Sequence, residues 1–355
     1  SHHHPLLDMP PGIFKMINGS KFMRYHRTTP QEHLDGRVHE ISQGNVLGGG
    51  TSVNAQVYMR GRPSDYNEWD EILRGNNAVV RWDWEHVLPH FRGMEGNNRL
   101  YDERHNSEGP LLVSDPGYID NVSRWFVQTV QGLGVPFSHD FNGVTQRGVG
   151  FYQFMNRQGK RSSAAYAFIE PLRDNPRLTL KLNAAVSRIV IENERAVGVT
   201  YRETGGADVT AYADSEIVVS SGALVTPKLL MLSGIGPTDD IRGHGISVVA
   251  DLPGVGQNLI DHPEVPIIAT FNGRYGYHGQ GSTACTSSCS VVARFSPRVS
   301  KPAPSSIRSI PMASHRSRRS ACPISISTAP CSTRWRRPTA LPSPRSSPSR
   351  SRVAS

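Results

Sequence analysis

The sequence predicts an α/β fold, α+β overall, and three patterns carry that expectation. A glycine-dense bend spans Gly44 to Asn54. A set of alternating apolar segments between Leu178 and Tyr201 reads as an antiparallel meander. A wholly apolar stretch, Ile217-Val218-Val219-Ser220, meets a small-residue turn and then a helical pattern.

In chain order, residues 1–43 read as polar and loop-like, with turn signals at Pro10-Pro11-Gly12 and Asn18-Gly19-Ser20. After the glycine bend, Ala55 to Arg60 is an apolar stretch that predicts a short helix. Val87, Leu88 and Phe91 space like one helix face within 84–95, where Pro89 is a blemish. A second helix is predicted over 121–133 from Val122, Trp125, Phe126, Val130 and Leu133. Strands are expected at Leu178–Leu182, Val186–Ile191 and Ala196–Tyr201, with a turn at Glu192-Asn193-Glu194 between the last two. A helix should start near Thr226, with Pro227 in its first turn, and end at Gly234.

Composition divides the chain near residue 281. Residues 282–355 hold 21 Ser and 13 Lys plus Arg with no Asp or Glu, which leaves 26 basic against 30 acidic residues in 1–281. The net charge of +9 therefore belongs to the tail. With few bulky apolar residues the tail should stay disordered. A basic arm for nucleic acid or acidic lipid is one reading of it, but Phe295 and Trp335 are the only aromatic residues interleaved with the Arg, so base stacking has little to work with. No nucleic-acid partner is expected. All four cysteines (Cys285, Cys289, Cys322, Cys331) lie in the tail at spacings that fit no usual metal site, and none is expected. No apolar run approaches the roughly 18 residues of a membrane span, and the start of the chain lacks the parts of a signal peptide.

Two constellations carry chemistry. Gly48-Gly49-Gly50-Thr51-Ser52 places unhindered backbone N–H groups beside two hydroxyls, so a pyrophosphate or a flat ring can approach closely. Gly222-Ala223, between an apolar strand and a helix, sits where a helix dipole favours an anion. Either alone is equally a tight structural turn or a packing feature.

Their order is more specific. GNVLGGGTSVNAQVYMRG with the following DYNEWDE resembles the first signature of the glucose–methanol–choline flavoprotein family, and GALVTPKLLMLSGIGP resembles its second. WDWEHVLPHFRGMEG, GKRSSAAYAFIEPL, RAVGVTY and LPGVGQNLIDH follow in the family's order, and the choline-dehydrogenase-like branch fits best. The resemblance implies non-covalent FAD, a small alcohol as hydride donor and a separate, unidentified electron acceptor. It implies that the loop Val46, Gly48, Gly49, Gly50, Thr51, Ser52 and Asn54 lies over the flavin and its pyrophosphate. Asn54, Ala55, Gln56 and Val57 would line the isoalloxazine edge, Val186 would meet the adenine through its backbone, and Gly222 and Ala223 would form the turn beside the cofactor. Some relatives carry a covalently flavinylated His where Asn54 stands, and Asn cannot form that bond. The Asp261-His262 pair belongs to a family motif without an assigned role. The parts of the FAD-binding domain are expected at about 30–62 and 164–262, and those of an antiparallel-sheet substrate domain at about 63–163 and 263–281. The expected location is the cytoplasm, free or peripheral to the inner membrane.

The sequence also departs from the family. A strand–GxGxxG–helix clamp followed about twenty residues later by an acidic residue is absent, as is the family's C-terminal catalytic His with its His or Asn partner; the tail's only histidine is His315. No catalytic residue is therefore assigned. Reverse-translating the tail from Arg298 and reading two nucleotides later can give GFEAGAFVNPLDPDGVPPIQAF, which resembles the family's continuation. The expectation is a truncated, frame-shifted and inactive alcohol oxidoreductase. The alternatives are a hydroxynitrile lyase on the same scaffold and a non-enzymatic basic binding protein.

Overall fold

The computed structural model describes residues 3–16, 19–262, 265–271, 291–294 and 320–326. The expected disorder of the tail, its cysteines and His315 fall mostly outside these residues; within the tail, Val291–Arg294 and Ser320–Ile326 are strands. They pair antiparallel with Gly148–Phe151 and Val265–Phe271 respectively.

The described residues among the first 44 are more ordered than a loop. Short helical turns at Pro5–Asp8, Pro10–Gly12 and Ile13–Met16 lead to an antiparallel hairpin of Met23–Arg27 with Glu40–Gly44. The helices over Trp84–Met94 and Asn121–Gly132 form as expected. Each begins at an Asp whose carboxylate accepts a backbone N–H from the first turn, Asp83 from His86 and Asp120 from Ser123. Pro89 sits inside the first helix without ending it. Two strands of the expected meander form, Ala184–Glu192 and Arg195–Glu203; the third strand beside them is Asp208–Tyr212 rather than Leu178–Leu182, and all are antiparallel. Its first hairpin turns through Asn193 and Glu194, both at positive φ.

Four expectations fail. Ala55–Arg60 is not helical. Asn54 Oδ1 takes the N–H of Gln56, and the chain then pairs with 153–155 through Tyr58 N–H to Gln153 O and Met155 N–H to Gln56 O. Leu178–Leu182 and Ile217–Ser220 form neither helix nor strand and lie in no ladder among the described residues. The last helix runs Gly222–Leu232, four residues earlier than expected, so Thr226 and Pro227 lie within it. Thr226 still serves its start, since its Oγ1 accepts the N–H of Ser221.

Two small cores flank the glycine bend. Leu7, Met16, Phe22 and Val53 form one, with Val46 packed against it. Phe141, Tyr152 and Phe154 form the other, with Val57 and Met59. The segment 46–59 is thus held from both sides by burial of its own apolar side chains.

Candidate functional site

The glycine bend folds as one tight helical turn, Gly49–Ser52. Gly48 precedes it at φ +87°, and a Cβ there would stand 2.4 Å from Ser52 Oγ and 3.0 Å from Ala165. Both conformation and packing therefore require glycine at 48. Gly50 is different: its φ is ordinary, and a Cβ would meet nothing within 4 Å. Neither fold reason explains a glycine there. The N–H groups of Gly50, Ala55 and Val57 find no acceptor among the described residues. Open space over a small residue, with unpaired donors around it, suits a flat or anionic group that comes close to the backbone.

The two hydroxyls of the bend do not face that space. Thr51 Oγ1 donates to Gly48 O at 2.6 Å and accepts the N–H of Ala164, while Ser52 Oγ donates to Leu47 O at 2.7 Å. They shape the loop. Val46 O accepts the N–H of Gly49 and closes the turn. Gln56 stands at φ +65° with its side chain buried against Asn156 and Arg161, its N–H given to Asn54 Oδ1 and its carbonyl accepting from Met155. Asn54 is half-buried, Val57 likewise, and Ala55 is exposed.

The second glycine turn lies beside the first. Gln43, at the end of the strand leading into the bend, donates Nε2 to Ser221 O at 2.7 Å and takes His26 at 3.0 Å. A Cβ on Gly222, at φ +84°, would collide with that amide. Gly222 and Ala223 are exposed at the start of their helix. Val186 is exposed on the outer strand of the meander, next to a bulge. The meander is fixed to the far end of the same helix by Ile189 N–H to Ser233 Oγ at 2.8 Å. The structure thus links the strand leading into the bend to the turn at 222–223 through Gln43, and contacts among the described residues tie Val186 to that turn through the helix.

Sequence reasoning missed the charged residues behind the loop. Arg161 is 5% exposed and spans the bend from beneath: Nη1 donates to Asn54 O at 2.7 Å, Asn54 Oδ1 at 3.0 Å and Thr51 O at 3.2 Å, and Nε to Leu7 O at 2.9 Å. Burial pushes its pKa down to about 10. Further along, Arg60 pairs with Glu95, both fully buried. Glu95 also holds His105 Nδ1 at 2.9 Å, and His105 Nε2 meets Asp140 at 3.0 Å. Burial opposes a charge on His105, but hydrogen bonds and charges of Asp140 and Glu95 outweigh it and raise its pKa to about 9. Burial likewise pushes the Tyr58 hydroxyl up to about 12, against the pull of Arg60. Nothing in a lone Arg or His of the sequence marks such partners. No group of side chains suited to a metal ion occurs among the described residues.

A family model described as GMC oxidoreductase matches residues 16–264, well over half of the chain. The chain belongs to the GMC oxidoreductase family. Among curated GMC-like relatives, "Alcohol dehydrogenase [acceptor]" of Pseudomonas putida is 38% identical over 273 residues, covering 76% of this chain and 49% of that protein. Mitochondrial choline dehydrogenase of Mus musculus is 39% identical over 259 residues, covering 73% of this chain and 42% of that protein. Among solved structures, pyridoxine 4-oxidase from Mesorbium loti matches with TM-score 0.65 at 30% identity, over 71% of this chain and 48% of its own. An FAD-dependent oxidoreductase from Chaetomium thermophilum matches with TM-score 0.68 at 29% identity, over 78% and 48%. This GMC chain spans about half the length of the relatives it matches. No helix among the described residues is long and apolar enough to cross a membrane.

Proposed function

We propose that this chain carries one half of the cofactor site of an FAD-dependent enzyme that oxidises a small alcohol, without the groups that complete the reaction. Bound FAD would supply the hydride acceptor. Gly48, Gly49, Gly50 and Asn54 to Val57 would lie against the flavin, the turn at Gly222-Ala223 beside it, and Val186 near the adenine. The side chains of Thr51, Ser52 and Gln56 would act by holding the loop. The relatives' names support an alcohol donor and an electron acceptor distinct from it, and the branch resemblance supports a choline-like primary alcohol. Residues of about 30–62 and 164–262 would form the cofactor part, and about 63–163 with 263–281 the substrate part. A cytoplasmic location, free or at the face of the inner membrane, fits this reading.

The 355 residues contain neither a GxGxxG clamp nor the family's catalytic His pair, and 282–355 has the composition of text read out of register. By themselves they should hold FAD weakly and turn nothing over, because a missing general base alone costs roughly 10²–10⁴ in rate.

The observation that carries the reading is Gly50, a glycine that neither backbone nor packing demands. Titrating FAD into the purified chain, followed by flavin fluorescence, tests it. The wild type should bind weakly but saturably. Gly50→Ala should melt at the same temperature yet bind at least several-fold more weakly. Equal FAD binding by both would remove the support, and no binding by the wild type would refute the cofactor site.

A further inference from the structure

We propose that Arg161 orients Asn54 so that the Asn54 side chain meets the flavin ring as a hydrogen-bond donor and never as an acceptor. The inference rests on the flavin reading above and adds a positioning residue and a polarity to it.

The polarity follows from the amide's surroundings. Asn54 Oδ1 lies 3.0 Å from Arg161 Nη1 and 3.0 Å from the backbone N of Gln56. Both neighbours are donors and neither can accept, so an amide turned the other way would set its NH₂ against two N–H groups. The oxygen is therefore fixed inward. A planar amide then points its two N–H bonds away from Arg161, and Nδ2 has no partner among the described residues. Asn54 is only half-buried, at the position expected along the ring's edge.

Arg161 pins the loop with a charge that the loop does not need for that purpose. Its acceptors (Leu7 O, Thr51 O, Asn54 O, Asn54 Oδ1 and the Gln56 amide oxygen) are all neutral, and burial is the single cause of its lowered pKa, with no carboxylate acting on it. A buried guanidinium without a counter-charge is costly. It becomes useful if the charge is directed at something. A cation bound to an amide oxygen polarises the amide and makes its N–H bonds stronger donors. Arg161 so placed delivers positive potential to the ring through Asn54, which favours the electron-rich reduced flavin.

A loop-pinning role alone would give the same contacts, and Asn54→Asp separates the two. The carboxylate is isosteric, keeps the bonds to Arg161 and Gln56 N–H, and pairs the buried cation, but it presents an acceptor to the ring. Full-length chain with ¹⁵N-labelled asparagine is mixed with excess FAD and followed by flavin fluorescence and by the Asn54 side-chain amide signal, assigned by its loss in Asn54→Asp. In the wild type, FAD should move that signal downfield. Asn54→Asp should unfold no more easily than wild type yet bind FAD at least tenfold more weakly. Arg161→Met should shift the Asn54 amide toward its solvent-exposed position without FAD, and Arg161→Lys should restore it in part. If Asn54→Asp binds FAD within twofold of wild type, or FAD binds without moving the Asn54 amide, the donor assignment is overturned while the flavin reading stands. If the wild type shows no response to FAD in either measurement, the flavin reading falls and this inference with it.

Discussion

At the residue scale the most consequential group is His105, buried between Glu95 and Asp140 with Arg60 and Tyr58 close by. The four charges of Arg60, Glu95, His105 and Asp140 balance only when the imidazole is protonated. Its folded-state pKa of about 9 lies above the ordinary 6.5. The stability it contributes is therefore full below about pH 6.5 and is lost as pH rises through about 9, for a total of about 3 kcal/mol. Urea unfolding from about pH 6 to about pH 10 should show that decline, and His105→Gln should be less stable at the acid end and flat across the window. A wild-type profile without slope there would mean the histidine is neutral. Truncating one partner is harsher: Glu95→Leu leaves Arg60 and His105 buried without their carboxylate and should cost roughly 3–5 kcal/mol in the same assay.

At the scale of elements, the glycine bend combines positions with separable duties. Gly48→Ala forces a side chain into the left-handed region against Ser52 Oγ and Ala165, and should lower stability by about 1–3 kcal/mol in thermal unfolding. A neutral Gly48→Ala would show that the loop shifts freely. The motifs at 44–61 and 222–237 were legible in sequence because their glycines and order are specific. The hairpin of Ala184–Glu192 with Arg195–Glu203 was legible because alternation at 186–201 encodes it by itself, whereas the third strand, Asp208–Tyr212, was not. What local pattern could not give were contacts between distant residues. Ala55–Arg60 has helical spacing but is drawn out by pairing with 153–155. Ile217–Ser220 has strand composition but no ladder partner among the described residues. Arg161 and His105 gain their roles only from carbonyls and carboxylates that the fold brings to them.

At the scale of the whole molecule, several apolar side chains stay in solvent on segments that lie in no helix or ladder among the described residues. Val218 is 77% exposed, and Leu182, Leu259 and Ile260 are also exposed. Unpaired backbone with exposed apolar residues favours association between chains. Light scattering of the purified chain should show self-association that grows with concentration, and replacing Val218 and Ile260 with Lys should reduce it. A strictly monomeric chain would mean these side chains are covered in solution.

The central claim is that the chain holds part of an FAD site but not the apparatus for hydride transfer. It is tested most directly by mixing the FAD-saturated chain anaerobically with choline or another primary alcohol and following the flavin's visible absorbance. The account predicts no bleaching by the 355 residues alone. It predicts alcohol-dependent bleaching once a GxGxxG unit is joined upstream and the reading register beyond codon 281 is restored. Bleaching by the unaltered chain would contradict it, because the donor would then be oxidised without the histidine pair the account requires.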